Sequence, residues 1–213
     1  MKHRMFFKII SLLFAMLFSF QVRAELNEES IRSFLNTSGE RLIEALGMED
    51  KFERYEVLDE MFGKNVDTFY MGRYVLGQYY RTMTDEQKSR YHELFNRYIK
   101  SLYKSYPIDF KTDELGFEIL SVNVYETYAN ALAVINLPEK YRTENIETVT
   151  VQFRVHEKGE TFQIADLEIG GVSLLIGLKK RFMQMLKDDE NEIDWFLDDF
   201  EDLTKSNEKN LDL

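Results

Sequence analysis

Acid–base chemistry needs two titratable side chains held at a fixed separation, and this chain offers many candidates but no constellation. Asp188-Asp189-Glu190, Asp198-Asp199 and Glu201-Asp202 crowd carboxylates toward the C-terminus. Their spacing is that of a solvated helix face running into an acidic tail, and 188–192 lacks the glycine-punctuated oxygen ligands of a calcium loop. The three histidines, His3, His92 and His156, are too scattered for a His-rich metal site. His156 is expected on the polar face of a strand and His92 beside the apolar face of a helix, neither with a signalled nucleophile. Ser173, after Gly170-Gly171-Val172, lacks the Gly-x-Ser-x-Gly spacing that exposes a serine on a strained elbow. No glycine loop for phosphate occurs, and the absence of cysteine removes disulfides, thiol nucleophiles and thiolate metal sites together. The expectation is a protein without catalysis, metal or cofactor.

The composition bounds what can surround such residues. Of 213 residues, 44% are apolar and 31% charged, which excludes a disordered polymer and a multi-span membrane protein. With 27 bases against 38 acids the net charge is −11, so nucleic acid is not an expected partner. Lys2, His3, Arg4 and Lys8 precede an apolar stretch over 9–20, and Val22 and Ala24 stand at the −3 and −1 positions of a cleavage site. That stretch of twelve residues, ten of them apolar, suits a signal peptide and falls short of the roughly 20 that a spanning helix needs. Residues 1–24 are therefore expected to be a cleaved leader, with export to a bacterial periplasm. The leader carries four bases and no acid, so its loss takes the charge from −11 to −15. One domain is expected over 25–203, and 204–213, with little to bury, as a disordered acidic tail.

The elements that must position any site read as α+β. Ile31, Phe34, Leu35, Leu42, Ile43 and Leu46 recur at helical spacing and Gly47 is placed to stop that helix. A second helix is predicted within 51–63 and a third, shorter one over 71–80. Thr84-Asp85-Glu86-Gln87 is a capping box that opens a fourth, with Tyr91, Leu94, Phe95, Tyr98, Leu102 and Tyr103 on one face and Pro107 as its stop. Four strands follow: one alternating at Leu120, Val122 and Val124; one nearly all apolar over 129–137, including Val134, and expected to be covered on both faces; one alternating at Val149, Val151, Phe153 and Val155; and one after the Lys158-Gly159 turn. In the last, Phe162 and Ile164 share one parity and Leu167 and Ile169 the other, so a bulge near Ala165-Asp166 is required. After Gly170-Gly171 the pattern returns to helix over 174–186, then again through Ile193, Trp195, Phe196, Phe200 and Leu203.

Apolar side chains are where the sequence is rich. Phe69, Tyr70, Met71, Tyr74, Val75, Leu76, Tyr79, Tyr80, Phe95, Tyr98 and Tyr103 stand close together in the chain. Such a stripe is either core packing or the wall of an apolar cavity, and periodicity alone does not choose between them.

The segment Met71-Gly72-Arg73-Tyr74-Val75-Leu76-Gly77-Gln78-Tyr79-Tyr80-Arg81-Thr82-Met83-Thr84, continued by Glu86-Gln87, Phe95, Tyr98 and Tyr103, resembles the MlaC family of periplasmic phospholipid-binding proteins. A second match is Gly171-Val172-Ser173-Leu174 with Phe182 downstream, preceded by Asp166-Leu167-Glu168-Ile169. The chain departs from the family pattern at Tyr80, where tryptophan is usual, at Phe162-Gln163-Ile164-Ala165, and at Gly177-Leu178-Lys179, where a lysine replaces an arginine. The resemblance implies N-terminal helices packed on a curved four-stranded antiparallel sheet of nuclear-transport-factor-like shape, with C-terminal helices and an apolar cavity between. It implies a monomeric shuttle moving phospholipid between an outer-membrane lipoprotein–porin complex and an inner-membrane ABC transporter, maintaining outer-membrane lipid asymmetry. Under it, the cavity is expected to draw on Met71, Tyr74, Val75, Leu76 and Tyr79, on Phe95, Tyr98 and Leu102, on the strand residues Val122, Val134, Val151, Phe153, Phe162 and Ile164, and on Val172, Leu174 and Phe182. Arg73, Arg81, Arg97, Lys100, Lys104 and Lys179 are the expected head-group or docking cations.

The physics of such a carrier is simple. Two acyl tails of about 30 methylenes in all, at roughly 0.8 kcal/mol each, cost on the order of 25 kcal/mol if left in water. The protein interior must replace that water, and flexible or flat apolar side chains do so without stranding polar groups. Two rivals stand beside this reading: a hydrolase or isomerase using the same cavity with Asp166 or His156 as base, and a periplasmic adaptor or chaperone that holds no lipid.

Overall fold

The computed structural model describes residues 25–105, 112–144 and 146–211. The expected leader and Pro107 lie outside these described residues. Within them five helices lead: α1 Glu28–Leu46, α2 Lys51–Asn65, α3 Thr68–Leu76, α4 Gln78–Thr82 and α5 Asp85–Lys104. The sheet follows as β1 Gly116–Val124, β2 Ala129–Asn136, β3 Thr148–Lys158, β4 Thr161–Ile169 and the short β5 Val172–Ser173, and α6 Leu174–Asp188 and α7 Ile193–Lys209 close the chain. The strands lie in sequence order and every neighbouring pair is antiparallel. The expected four strands are thus joined by a fifth of two residues, which runs straight into α6.

Local signals explain most boundaries. Asn27 and Ser30 form a capping box that starts α1. Thr84 and Gln87 form the predicted one at α5, with Gln87 N–H donating to the Thr84 hydroxyl at 3.2 Å and Thr84 N–H to the Gln87 side chain at 2.9 Å. The third helix differs from its predicted 71–80 span because it is two helices. Gly77, at φ 55° and ψ −115°, breaks them, in a region that side chains with a Cβ avoid. Gly77→Ala is expected to cost about 1–3 kcal/mol by backbone strain alone, since the nearest atom to an added Cβ is Lys179 Nζ at 3.6 Å; urea unfolding measures it.

The sheet bends where the parity demanded it. Arg154 pairs with Asp166 and Val155 with Ile164, leaving Ala165 as the extra residue of a bulge. A second bulge leaves Leu120 unpaired on β1. Each adds twist and curls the sheet toward the helices. β2 differs from expectation: Ala129, Ala131 and Ala133 are buried, but Asn130, Leu132 and Val134 on the opposite face are only half-buried. α1 covers the inner face, where the small alanines let Ile31 and Leu35 approach closely.

Two apolar clusters result among the described residues. One joins α3, α5, α6 and α7 through Tyr91, Phe95, Tyr98, Phe182, Phe196 and Phe200, all essentially inaccessible. The other joins α1 to the inner face of the sheet. The expected disordered tail is corrected: α7 continues to Lys209, Thr204 and Leu211 are buried, and Lys51 Nζ donates to the Leu211 carbonyl at 2.7 Å. The acidic run on α7 is not merely solvated either. Asp198 and Glu201 bind Arg90 of α5, and Glu208 binds Arg97 at 2.6 Å, so α7 neutralises the basic face of α5.

Candidate functional site

Between the sheet cluster and α2 lies a cavity of about 430 Å³. The apolar stripe of α1 supplies Leu35, Leu42, Ile43 and Leu46, and that of α2 supplies Leu58, Met61 and Phe62. α5 closes one side with Ile99 and Tyr103, and the sheet forms the floor with Phe117, Ile135, Phe153, Ile164 and Leu167. Met71 of α3 and Leu174 of α6 complete the wall. Each long helix brings side chains spaced three or four residues apart, one turn above another on a single face.

The few polar atoms of this wall are engaged with the protein. Asn65 Nδ2 donates to the Ser38 hydroxyl at 3.1 Å, which itself donates to the Phe34 carbonyl. The Tyr103 hydroxyl donates to Asp59, and burial together with that carboxylate pushes the phenol far above its ordinary range. Asp166 accepts from the Leu167 and Leu175 N–H groups and from the Ser173 hydroxyl at 2.7 Å, at the start of α6 where the helix field favours a carboxylate. What the wall presents to a guest is alkyl and aromatic surface, a lining suited to hydrocarbon and not to a charged substrate.

The structure brings four of the expected cavity residues together there: Met71, Phe153, Ile164 and Leu174. The others go elsewhere. Val75, Leu76, Phe95, Tyr98 and Phe182 are solid core of the helical cluster, with Tyr79 and Leu102 packed against it. Val151 is buried in the sheet, Phe162 belongs to the sheet cluster and Val122 packs on its edge. Val134 lies on the outer face, while Tyr74 and Val172 are exposed. Most of the aromatic stripe is therefore core or its margin, apart from Met71 and Tyr103 in the wall and Phe69 and Tyr74 at the surface, and the hollow draws chiefly on the apolar faces of α1 and α2. The apolar spacing of Leu42, Ile43 and Leu46 on α1 and of Leu58, Met61 and Phe62 on α2 was the available signal.

Among the described residues of the wall there is no expected head-group cation. Arg97 pairs with Glu208, Lys100 and Lys104 with Asp59, Arg73 stacks on Phe69 and Tyr80, Lys179 lies over Tyr74, and Arg81 is exposed on α4. His156 is not in the wall either. Its Nε2 lies 3.0 Å from Asp67 Oδ2, which also accepts from Lys158 at 2.8 Å, while Asp67 Oδ1 takes the Tyr70 N–H and caps α3. Burial by itself would raise the Asp67 carboxyl, but the Lys158 ammonium, the Tyr70 N–H and His156 together hold it below its ordinary 3.8. A depressed folded-state value contributes stability that is present above the ordinary value and lost as pH falls through the lower one. Asp67→Asn should therefore flatten the fall in unfolding free energy below about pH 4, as urea titrations across that range would measure.

Among the described residues no helix is long and apolar enough to cross a membrane, and no group of acidic, histidine or cysteine side chains is placed to hold a metal. A family model for the MlaC protein matches residues 40–202. The chain belongs to the MlaC family. A phospholipid-binding protein from Ralstonia solanacearum, solved in complex with a phospholipid, superposes with a TM-score of 0.68 over 82% of this chain and 97% of that one. At 12% identity that likeness concerns the fold. A search of curated protein sequences returns no significant match. The α+β architecture expected of an MlaC-like chain, helices on a curved antiparallel sheet, is the one observed.

Proposed function

We propose that this MlaC-family protein binds phospholipid by its acyl chains in the cavity and carries it without chemical change. The observation that supports the reading is the wall itself: a hollow lined by hydrocarbon whose polar atoms are bonded within the protein. Burying methylenes there recovers roughly 0.8 kcal/mol apiece, and no nucleophile is needed. The Ralstonia protein, solved with a phospholipid, supports the same ligand class. The finer reading follows the family resemblance: export by cleavage of residues 1–24, a monomer in the periplasm, and exchange between an outer-membrane lipoprotein–porin complex and an inner-membrane ABC transporter that preserves outer-membrane asymmetry.

Native mass spectrometry and organic extraction of the purified protein test it. Stoichiometric phospholipid is the expected result, and an empty protein would support an adaptor instead. Incubation with diacyl lipid should release neither fatty acid nor lysolipid; turnover would make the protein an enzyme and end the carrier reading.

A further inference from the structure

A second depression, about 350 Å³, runs along the outside of the seam between α1 and α2. Its lining is mixed where the cavity's is apolar, with Phe34 and Met61 beside charged and hydroxyl groups. Arg41 and the hydroxyls of Ser33 and Thr37 come from α1, Glu60 and Lys64 from α2, and Thr161 from the start of β4. Yet the two spaces share three residues, Ser38, Met61 and Asn65. Where the apolar interior meets the mixed groove, Asn65 donates to Ser38 at 3.1 Å beside one flexible methionine. The seam is weakly held, because Leu58 alone of the residues described in α2 is buried.

The lining of the cavity makes the seam matter. Its wall is alkyl and aromatic and holds no cation among its described residues, so it takes hydrocarbon and offers nothing to a charged head group. The polar end of a phospholipid must therefore come to rest somewhere that the cavity does not provide.

We propose that the α1–α2 groove seats the head group of a zwitterionic phospholipid, with phosphate between Arg41 and Lys64, the amine against Glu60, and the tails entering past Ser38 and Asn65. This rests on the carrier reading above and adds a site to it. Arg41 now pairs with Glu44 at 2.7 Å and Lys64 with Glu60 at 2.6 Å, both exposed contacts within a helix that contribute little and exchange readily for a phosphate. Arg41 of α1 and Glu60 of α2 both line the groove, so both signs of charge meet across it. A phosphate alone would face Glu60; a phosphate joined to an amine satisfies both. The hydroxyls at its edge suit phosphoryl and ester oxygens.

Titration of delipidated protein with dioctanoyl phosphatidylethanolamine, dioctanoyl phosphatidylglycerol and dodecanol decides the matter. The ethanolamine lipid should bind several-fold more tightly than the glycerol lipid. Arg41→Ala with Lys64→Ala should weaken it about tenfold, the loss of one or two charge-assisted hydrogen bonds, and leave dodecanol unchanged. Glu60→Gln should narrow the gap between the two lipids, and Arg73→Ala with Lys179→Ala should alter neither. Equal affinity for both lipids, untouched by the Arg41 and Lys64 changes, overturns the head-group seat while dodecanol binding upholds the cavity. If dodecanol and both lipids fail to bind, the carrier reading falls and the seat with it.

Discussion

Leu174→Glu should empty the cavity of lipid while the protein stays folded. Leu174 lines the hollow, is 37% exposed, and is the first residue of α6. An acid in the first turn of a helix is favoured by the free N–H groups there, which offsets part of the lost leucine contact, so unfolding free energy should change by only about 1 kcal/mol. A lipid guest meets a different situation. If the carboxylate stays in the wall, an alkyl chain lies against an unpaired charge; if it swings to water, the chain faces a leucine-sized gap. Either way retained lipid should fall more than about tenfold, since each 1.4 kcal/mol of lost binding is roughly a factor of ten. Lipid per folded molecule, set beside a urea titration, measures both. Val151→Glu should behave otherwise. Val151 is 2% exposed within the sheet and is not part of the cavity wall, so its replacement should remove folding and lipid together, by several kcal/mol.

Phe182→Ala should show the reverse pattern, a large loss of stability with the cavity intact. The Phe182 ring is fully buried and meets Tyr91, Phe95, Tyr98, Phe196 and Phe200, with the last at 4.8 Å between centroids. Truncating a phenylalanine in such packing costs about 3–5 kcal/mol. None of these six rings lines the cavity. Lipid bound per folded molecule should therefore equal the wild-type value, while the thermal midpoint drops by many degrees. A parallel fall in lipid would mean that the aromatic block shapes the hollow after all.

These two outcomes mark the line between what sequence reading reached and what it did not. The capping box at Thr84, the bulge at Ala165 and the alternation of β3 are local facts, each decided by a few neighbouring residues, and all were legible. The aromatic stripe was misplaced because helical spacing says which face is apolar and not whether that face meets side chains or empty space. Phe95 and Phe182 fill each other's surroundings from distant parts of the chain, whereas Leu42 and Ile43 face the hollow. In a single chain the helices that carry them look equally amphipathic. The same distance hid the charges. Arg97 looked available until Glu208, supplied by a helix expected to fray before it, proved to hold it. The break at Gly77 was missed because Leu76 and Tyr79 keep helical spacing on either side, and only its backbone angles show the corner.

On the carrier reading, the position of the cavity between the two apolar clusters bears on how a lipid would leave. None of the six packed rings lines the cavity, although their cluster reaches its wall through Phe62, Met71 and Ile99, so an opening between α1 and α2 would shift that margin and not the rings themselves. Release by parting α1 from α2 would then be a local opening, which costs less than global denaturation. On that reading a stiff handle joined to a pliant purse would hand over its contents and spring back.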